Sequence, residues 1–236
     1  MIRLSLLWTC CLFLSPLLLL QGFFVRHRAI KLAEATGPRE MTQGDFRILV
    51  IGDSIVAGVG VEVTSAALPA QLATLISEHR GEPVSWRSEG HNGDRLGDLL
   101  KRLPLLDGRA DLVVINIGVN DVSHLTSMTR WQLELTTLVG ELIKRFRVPI
   151  VLLGLPPMHG FPLLPQPLRF ALGTRAKMLD HSLSRVGRLL TQVTYIATEL
   201  PLDAEYMAED GYHPCAKGVA AWATQISLAL RREKLI

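Results

Sequence analysis

The chain has 236 residues, 48% of them hydrophobic and 20% charged, with a formal net charge of +3. This length allows one good-sized domain whose core needs no disulfide or metal to support it. The abundance of hydrophobic residues excludes a disordered or low-complexity protein, and three cysteines, two of them adjacent, exclude a disulfide framework.

The positive charge comes from the N-terminal end of the chain. Residues 1–44 contain five basic and two acidic residues, which leaves twenty residues of each sign in residues 45–236. The body of the chain is therefore neutral and lacks the basic excess of a nucleic-acid-binding protein. We expect no nucleic acid among its partners.

The same N-terminal end is strongly apolar. Residues 4–25 are 22 consecutive uncharged residues, 16 of them strongly apolar. A helix of this length can cross about 30 Å of hydrocarbon, and it tolerates Pro16 and Gly22. We predict a membrane anchor over residues 1–25 and a polar linker over residues 26–45.

A secretory signal is the alternative interpretation of this segment, and an exported protein would then lose it by cleavage. The sequence Gln-Gly-Phe-Phe at residues 21–24 is not a small-residue cleavage site, which favours the anchor. Basic residues stand on both sides of the apolar stretch, so the charges leave the side of the membrane open.

From residue 46 onward, short β-branched runs alternate with helical patterns. Strands are predicted over residues 46–51, 84–87, 111–117, 149–153 and 193–196. Helices are predicted over residues 67–79, 95–103, 131–146, 168–190 and 217–232. This alternation predicts one α/β domain over residues 46–236, with a parallel five-stranded sheet covered by helices on both faces. In such sheets, ligands bind at the carboxyl ends of the strands.

Ser54 directly follows the first predicted strand, in a Gly-Asp-Ser sequence over residues 52–54. A phosphate-binding loop is excluded because no G-K-[ST] sequence follows, and a dinucleotide fingerprint lacks its third glycine. Val56 occupies the second glycine position of a G-x-S-x-G elbow. What remains is a serine on a sharp turn, and such a hydroxyl becomes a nucleophile only beside a base.

His213 is the candidate base, and Asp210 stands three residues before it. An aspartate at this spacing can hold the imidazole through Nδ1 and leave Nε2 free for Ser54. The alternative is a helix start, with Asp210 as its cap and Pro214 in its first turn. That alternative accounts for Asp210 and Pro214 but not for His213.

Gly93 and Asn120 follow two further predicted strands, in the sequences HNGD and GVND. Together with the Ser54 N–H, the Gly93 N–H and the Asn120 amide would supply three donors to an oxyanion. Each signal is weak alone, because glycine and asparagine after strands commonly form turns.

The four segments together resemble the GDSL/SGNH hydrolase family, and most closely its single-domain bacterial arylesterases, thioesterases and lysophospholipases. They are GDSIVAGVG with Ser54, the segment with Gly93, GVND with Asn120, and DGYH with Asp210 and His213, in the family's order. The resemblance implies a flavodoxin-like three-layer α/β/α sandwich and hydrolysis of esters through an acyl-enzyme. It implies Ser54 as nucleophile, with Asp210 and His213 as its triad partners. Ser54, Gly93 and Asn120 would be the oxyanion donors.

We therefore expect a serine esterase that acts on small or lipid-like carboxylic acyl esters, with no cofactor and no metal. Thioester, lysophospholipid or carbohydrate acetyl-ester chemistry, or acyl transfer, would use the same residues. A non-catalytic binding module on this scaffold and a flavodoxin-like cofactor protein are the rivals from other classes. The sequence gives no indication of the oligomeric state.

Residues 155–167 form an apolar loop that contains five prolines and follows the fourth predicted strand. We expect either one wall of an acyl or aryl pocket or a packed surface loop. His91 and His124 flank the candidate oxyanion segments, and we expect them to face solvent, with a position in the lining of the site as the alternative.

Overall fold

The computed structural model describes residues 2–236, without the side chains of residues 2, 3 and 12. Its centre is a six-stranded sheet in the order β1-β3-β2-β4-β5-β6. The strands are β1 (Glu40–Met41), β2 (Phe46–Gly52), β3 (Val84–Gly90), β4 (Leu112–Asn116), β5 (Ile150–Leu153) and β6 (Val193–Ile196). Five strands are parallel to one another, and β1 pairs antiparallel with β3 at the edge.

Eight α-helices connect and flank these strands in the described part of the chain. They are α1 (Ile2–Leu12), α2 (Ser15–Arg28), α3 (Leu68–Arg80), α4 (Leu96–Arg102), α5 (Val119–Ser123), α6 (Met128–Phe146), α7 (Leu168–Leu189) and α8 (Ala216–Arg232). Helices α4, α6 and α7 pack on one face of the sheet, and α3 and α8 pack on the other. The predicted α/β sandwich with a parallel sheet is confirmed.

The continuous apolar run in β2 follows from burial on both faces. Leu49 and Ile51 pack in the core beneath α4, α6 and α7, whereas Ile48 and Val50 pack beneath α3 and α8. All four side chains are buried. A central parallel strand has no face toward water, which explains why its sequence does not alternate between apolar and polar residues.

The sixth strand comes from the segment that was predicted to be a linker. Glu40 pairs with Arg87, and Met41 pairs with Trp86. The buried Ser85 hydroxyl accepts the N–H of Gly44 at 3.0 Å and donates to the Gly44 carbonyl at 2.6 Å. The segment therefore follows the edge of the sheet, and a strand of only two exposed residues left no apolar pattern to predict it.

The N-terminal apolar stretch forms two helices, so the expectation of one continuous helix over residues 4–25 is corrected. Pro16 lies in the first turn of α2, where its missing N–H costs no hydrogen bond, whereas inside a longer helix its ring would clash with the preceding turn. No single helix among residues 2–236 is long and apolar enough to cross a membrane. The pair Leu4–Cys11 and Ser15–Arg28, bent by 83°, meets that test together by length and composition only.

Candidate active site

Five predicted site residues reach one edge of the sheet from four segments. Ser54 follows β2, Gly93 follows β3, and Asn120 lies in α5 directly after β4. Asp210 and His213 belong to the turn that precedes α8. Because β3, β2 and β4 are parallel neighbours, their carboxyl ends place the first three residues side by side.

Ser54, His213 and Asp210 form a chain of hydrogen bonds. The Ser54 Oγ lies 3.0 Å from His213 Nε2, and His213 Nδ1 lies 2.5 Å from Asp210 Oδ2. The other carboxylate oxygen, Oδ1, accepts the backbone N–H of Tyr212 at 2.9 Å and that of His213 at 3.0 Å. Both oxygens of Asp210 therefore hold the His213 turn in place, and the imidazole has one free nitrogen for the serine.

The Asp210 carboxyl is buried, yet its pKa stays below the usual value for an aspartate. Burial alone would raise the pKa of its carboxyl, but hydrogen bonds from the His213 side chain and from the N–H groups of His213 and Tyr212 lower that pKa below its usual value. The carboxylate is therefore ionised at neutral pH. Its negative charge stabilises a protonated imidazole at His213.

Two glycines allow the His213 turn to approach the Ser54 turn. Gly211 adopts the left-handed region with φ +60°, which a side chain disfavours. Gly60, with φ +99°, lies so close to the same turn that a Cβ atom would stand 2.4 Å from the carbonyl oxygen of Pro214 and 3.1 Å from His213 Cβ. Gly60 was not predicted to shape the site. The signal for it in the sequence is the G-x-G spacing of residues 58–60, which follows Ser54.

The backbone N–H groups of Ser54 and Gly93 and the side-chain amide of Asn120 keep hydrogens that no acceptor in the described part of the chain takes. Gly93 adopts φ +85° and faces open space, since a Cβ atom there would meet nothing within 4 Å. Asn120 donates one amide hydrogen to the carbonyl of Asp94 at 3.0 Å, which fixes its side chain and leaves its second hydrogen available.

An apolar cavity of about 740 Å³ extends from His213 and Asn120. Leu163 and Leu164 of the proline-rich loop line this cavity, so that loop stands beside the site. His124 is exposed, as expected, and it lines the cavity as well. Its Nδ1 lies 2.9 Å from the Asn120 carbonyl. We call this space the acyl cavity below.

Comparison with known proteins decides the family. The sequence profile of the GDSL-like lipase/acylhydrolase family matches residues 50–221, which is most of the chain. The chain belongs to this family. No match is found among curated proteins.

Solved structures share the fold of this hydrolase over nearly their whole length. A lipase/acylhydrolase from Enterococcus faecalis is 25% identical, with a TM-score of 0.61 over 80% of this chain and 97% of that one. The esterase EstA from a Pseudoalteromonas species is 18% identical, with a TM-score of 0.64 over 80% and 99%. TesA is 22% identical, with a TM-score of 0.61 over 80% and 99%. Family and fold make this protein a carboxylic ester hydrolase, which confirms the predicted enzyme class.

Two buried aspartates, Asp53 and Asp121, stand next to Ser54 and Asn120 in the sequence of this hydrolase and accept hydrogen bonds from nearby groups. Asp121 accepts the N–H of Leu96 at 2.9 Å and the hydroxyl of Thr126 at 2.7 Å. Asp53 accepts the N–H of Ile55 at 3.4 Å. Burial raises the pKa of Asp53 to about 7, its hydrogen bonds to backbone N–H groups oppose that rise, and the nearby charge of Asp121 adds to it.

The raised pKa of Asp53 predicts a pH-dependent stability. The unfolded carboxyl has a pKa of about 3.9, so the folded protein binds this proton more tightly. Its contribution to stability is complete below about pH 4 and is lost as the pH rises through 7. We expect Asp53→Asn to flatten the fall in the free energy of unfolding between about pH 4 and 7, by up to roughly 1.4 kcal/mol per pH unit.

Urea unfolding followed by circular dichroism at several pH values measures this slope. Asp45→Asn is the matched control, because Asp45 is exposed and its loss should leave the slope unchanged. An identical slope for wild type and Asp53→Asn would contradict the assignment.

Proposed function

We propose that this hydrolase cleaves carboxylic acyl esters through an acyl-enzyme formed on Ser54. The observation that carries the proposal is the continuous chain from Ser54 Oγ to His213 Nε2 at 3.0 Å and from His213 Nδ1 to Asp210 at 2.5 Å. A serine, a histidine and a carboxylate in this arrangement meet the geometric requirement for nucleophilic catalysis with a paired base.

In the first half-reaction, His213 takes the hydroxyl proton while Ser54 Oγ attacks the ester carbonyl carbon. The carbonyl electron pair moves onto oxygen, and then the bond to the leaving alkoxide breaks as protonated His213 donates its proton to the alcohol. In the second half-reaction, His213 removes a proton from the water that attacks the acyl carbon. Protonated His213 then returns that proton to Ser54 Oγ as the bond between Oγ and the acyl carbon breaks and the acid leaves. Asp210 stabilises the imidazolium in both steps.

The oxyanion of each tetrahedral intermediate is assigned to the N–H groups of Ser54 and Gly93 and to the amide of Asn120. The two backbone N–H groups lack partners within the described chain, and the Asn120 amide is held by its bond to the Asp94 carbonyl. Donors fixed before the reaction need no reorganisation when charge develops on the oxygen.

Hydrolysis of thioesters, lysophospholipids or carbohydrate acetyl esters, and acyl transfer, would use the same three residues. We propose carboxylic esters of lipid-like acids as the main substrates. The apolar acyl cavity beside His213 favours an apolar substrate over a carbohydrate ester. A non-catalytic binding module on this scaffold is disfavoured, since it has no need of a serine within 3.0 Å of a histidine.

We further propose that the apolar N-terminal helices attach the enzyme to a lipid bilayer. Several large apolar side chains of α1 and α2 are exposed, among them Leu6 at 61%, Leu20 at 53% and Phe24 at 47%. Arg26 and Arg28 at the end of α2 supply positive charge for anionic head groups.

Replacing the nucleophile tests the reaction. We expect Ser54→Ala in the full chain to lower kcat/KM for p-nitrophenyl acetate by at least about 10³-fold, whereas Ser65→Ala, at an exposed serine, keeps the wild-type rate. A fluorophosphonate should bond to Ser54 Oγ with loss of fluoride. The structurally similar EstA is described as inhibited by monoethylphosphonate. Full activity of Ser54→Ala, or labelling of another residue, would overturn the proposal.

Removing the amide donor tests the oxyanion assignment. We expect Asn120→Ala to lower kcat by about 10²–10³-fold with a smaller change in KM, because the lost hydrogen bond strengthens in the transition state. Asn92→Ala is the control, since Asn92 is exposed in the neighbouring loop. A change in KM alone would contradict the role of Asn120.

Vesicle binding tests the membrane proposal. The variant Leu6→Gln, Leu20→Gln, Phe24→Gln should cosediment with phosphatidylglycerol-containing vesicles at least roughly tenfold more weakly than wild type, because less apolar surface enters the bilayer. Leu133→Gln, at an exposed leucine of α6, is the control. Equal binding of all three proteins, or none, would refute the attachment.

A further inference from the structure

The acyl cavity has a second wall that lies outside the family-matching region. Ten of the 22 described residues that line it fall within residues 8–30, whereas the family match begins at residue 50. The helix α2 contributes most of them. The remaining lining comes from the segments around Asn120, the proline-rich loop, the start of α7 and the His213 turn.

Gln21 attaches α2 to the body at a defined place. Its Nε2 donates to the carbonyl of Gln166 at 2.7 Å, and its Oε1 accepts the N–H of Leu168 at 3.0 Å. Leu168 begins α7, so the Gln21 side chain satisfies one of the unpaired N–H groups at that helix start. This contact explains why a glutamine interrupts the apolar stretch.

Further contacts hold both N-terminal helices against α7. The indole of Trp8 in α1 stacks over the guanidinium of Arg175 at 5.3 Å, and Arg175 is buried in α7. Leu18 and Val25 of α2 pack against the hydrophobic core beneath α7. The N-terminal helices therefore form part of the same packed structure that contains His213.

The chemistry of the lining indicates what the cavity binds. Asn120 and His213 line the cavity where the ester would react, and aliphatic side chains such as Leu164 form much of its wall. Further polar side chains in the lining are those of Ser15, Arg26, Ser123, His124 and Asp210. A volume of about 740 Å³ falls within the range of sites that enclose a small organic ligand. A largely apolar cavity of this size, with His213 in its lining, fits one unbranched hydrocarbon chain attached to the ester.

We infer that α1 and α2 form one wall of the substrate site and that the enzyme selects esters with a long unbranched hydrocarbon chain. This inference rests on the proposed function of Ser54. It makes the first thirty residues a specificity-determining part of the enzyme, beyond their attachment to a membrane. Each methylene buried between α2 and α7 should raise kcat/KM about fourfold.

Gly22 offers a direct test, because it lines the acyl cavity and a Cβ atom there would meet nothing within 4 Å. A phenylalanine side chain at this position would occupy the space of the hydrocarbon chain without straining its own surroundings. We expect Gly22→Phe in the full chain to lower the ratio of kcat/KM for p-nitrophenyl dodecanoate to that for p-nitrophenyl acetate by about tenfold or more.

The matched control is Leu17→Phe, which adds an aromatic ring to the same helix away from the cavity and should keep the wild-type ratio. A second arm compares dodecyl acetate with ethyl acetate, which distinguishes a chain on the alcohol from a chain on the acid. A ratio that falls in either arm for Gly22→Phe alone supports the inference. Wild-type ratios in both arms overturn it.

A measurement on the wild-type chain keeps the test independent of variant folding. A fluorophosphonate with a dodecyl chain that ends in a diazirine would first bond to Ser54 and then, on illumination, insert into its neighbours. Insertion within residues 8–30 supports the inference, and insertion only within residues 46–236 overturns it. Failure to label Ser54 at all would instead contradict the proposed function, so the two failures are distinguishable.

Discussion

The hydrogen bond between Ser54 and His213 joins two parts of the chain that lie 159 positions apart, and the rest of the site depends on it. It forms because β2 delivers Ser54 to the edge of the sheet and because Gly60 lets the turn before α8 approach within contact of the Ser54 turn. A side chain at Gly60 would meet the Pro214 carbonyl and displace His213 from the serine. The reactive geometry is thus set by backbone packing as much as by the residues that react.

Most of the fold was predictable, for a physical reason that β2 illustrates. A strand buried on both faces must be apolar throughout, so residues 46–51 stood out as a continuous run, and the turn residues after it marked the strand end. Ser54, Gly93 and Asn120 could be named because each lies within a short motif after a strand end. Asp210 and His213 could be named because they share a short motif before the last helix. Their distances could not be predicted, because these depend on the crossings of α3 and α8 over the sheet.

The features that could not be predicted from the sequence all depend on contacts between residues that are far apart in the chain. Glu40 and Met41 form a strand only because β3 offers them a free edge. The break before Pro16 was not predicted, because a membrane helix tolerates a proline. The docking of α2 on α7 depends on Gln21 and on residues about 145 positions further along the chain. The glutamine inside an apolar stretch was the available signal. A partly buried polar side chain among leucines needs a hydrogen-bonding partner. The partners of Gln21 lie at and just before the start of α7.

The inferred substrate wall on α2 gives a consequence for any cleavage of the N-terminal segment, because α2 docks against α7. Cleavage of this segment, whether by a signal peptidase or by another protease, would remove Gln21 and Leu18 together, and Leu164 and Leu172 would then face water. The hydrogen-bonded chain from Ser54 to Asp210 contains no residue of the N-terminal helices, so the reacting groups would remain. The processed and unprocessed proteins would act as two enzymes from one gene, which share a reaction and differ in the length of chain that they accept.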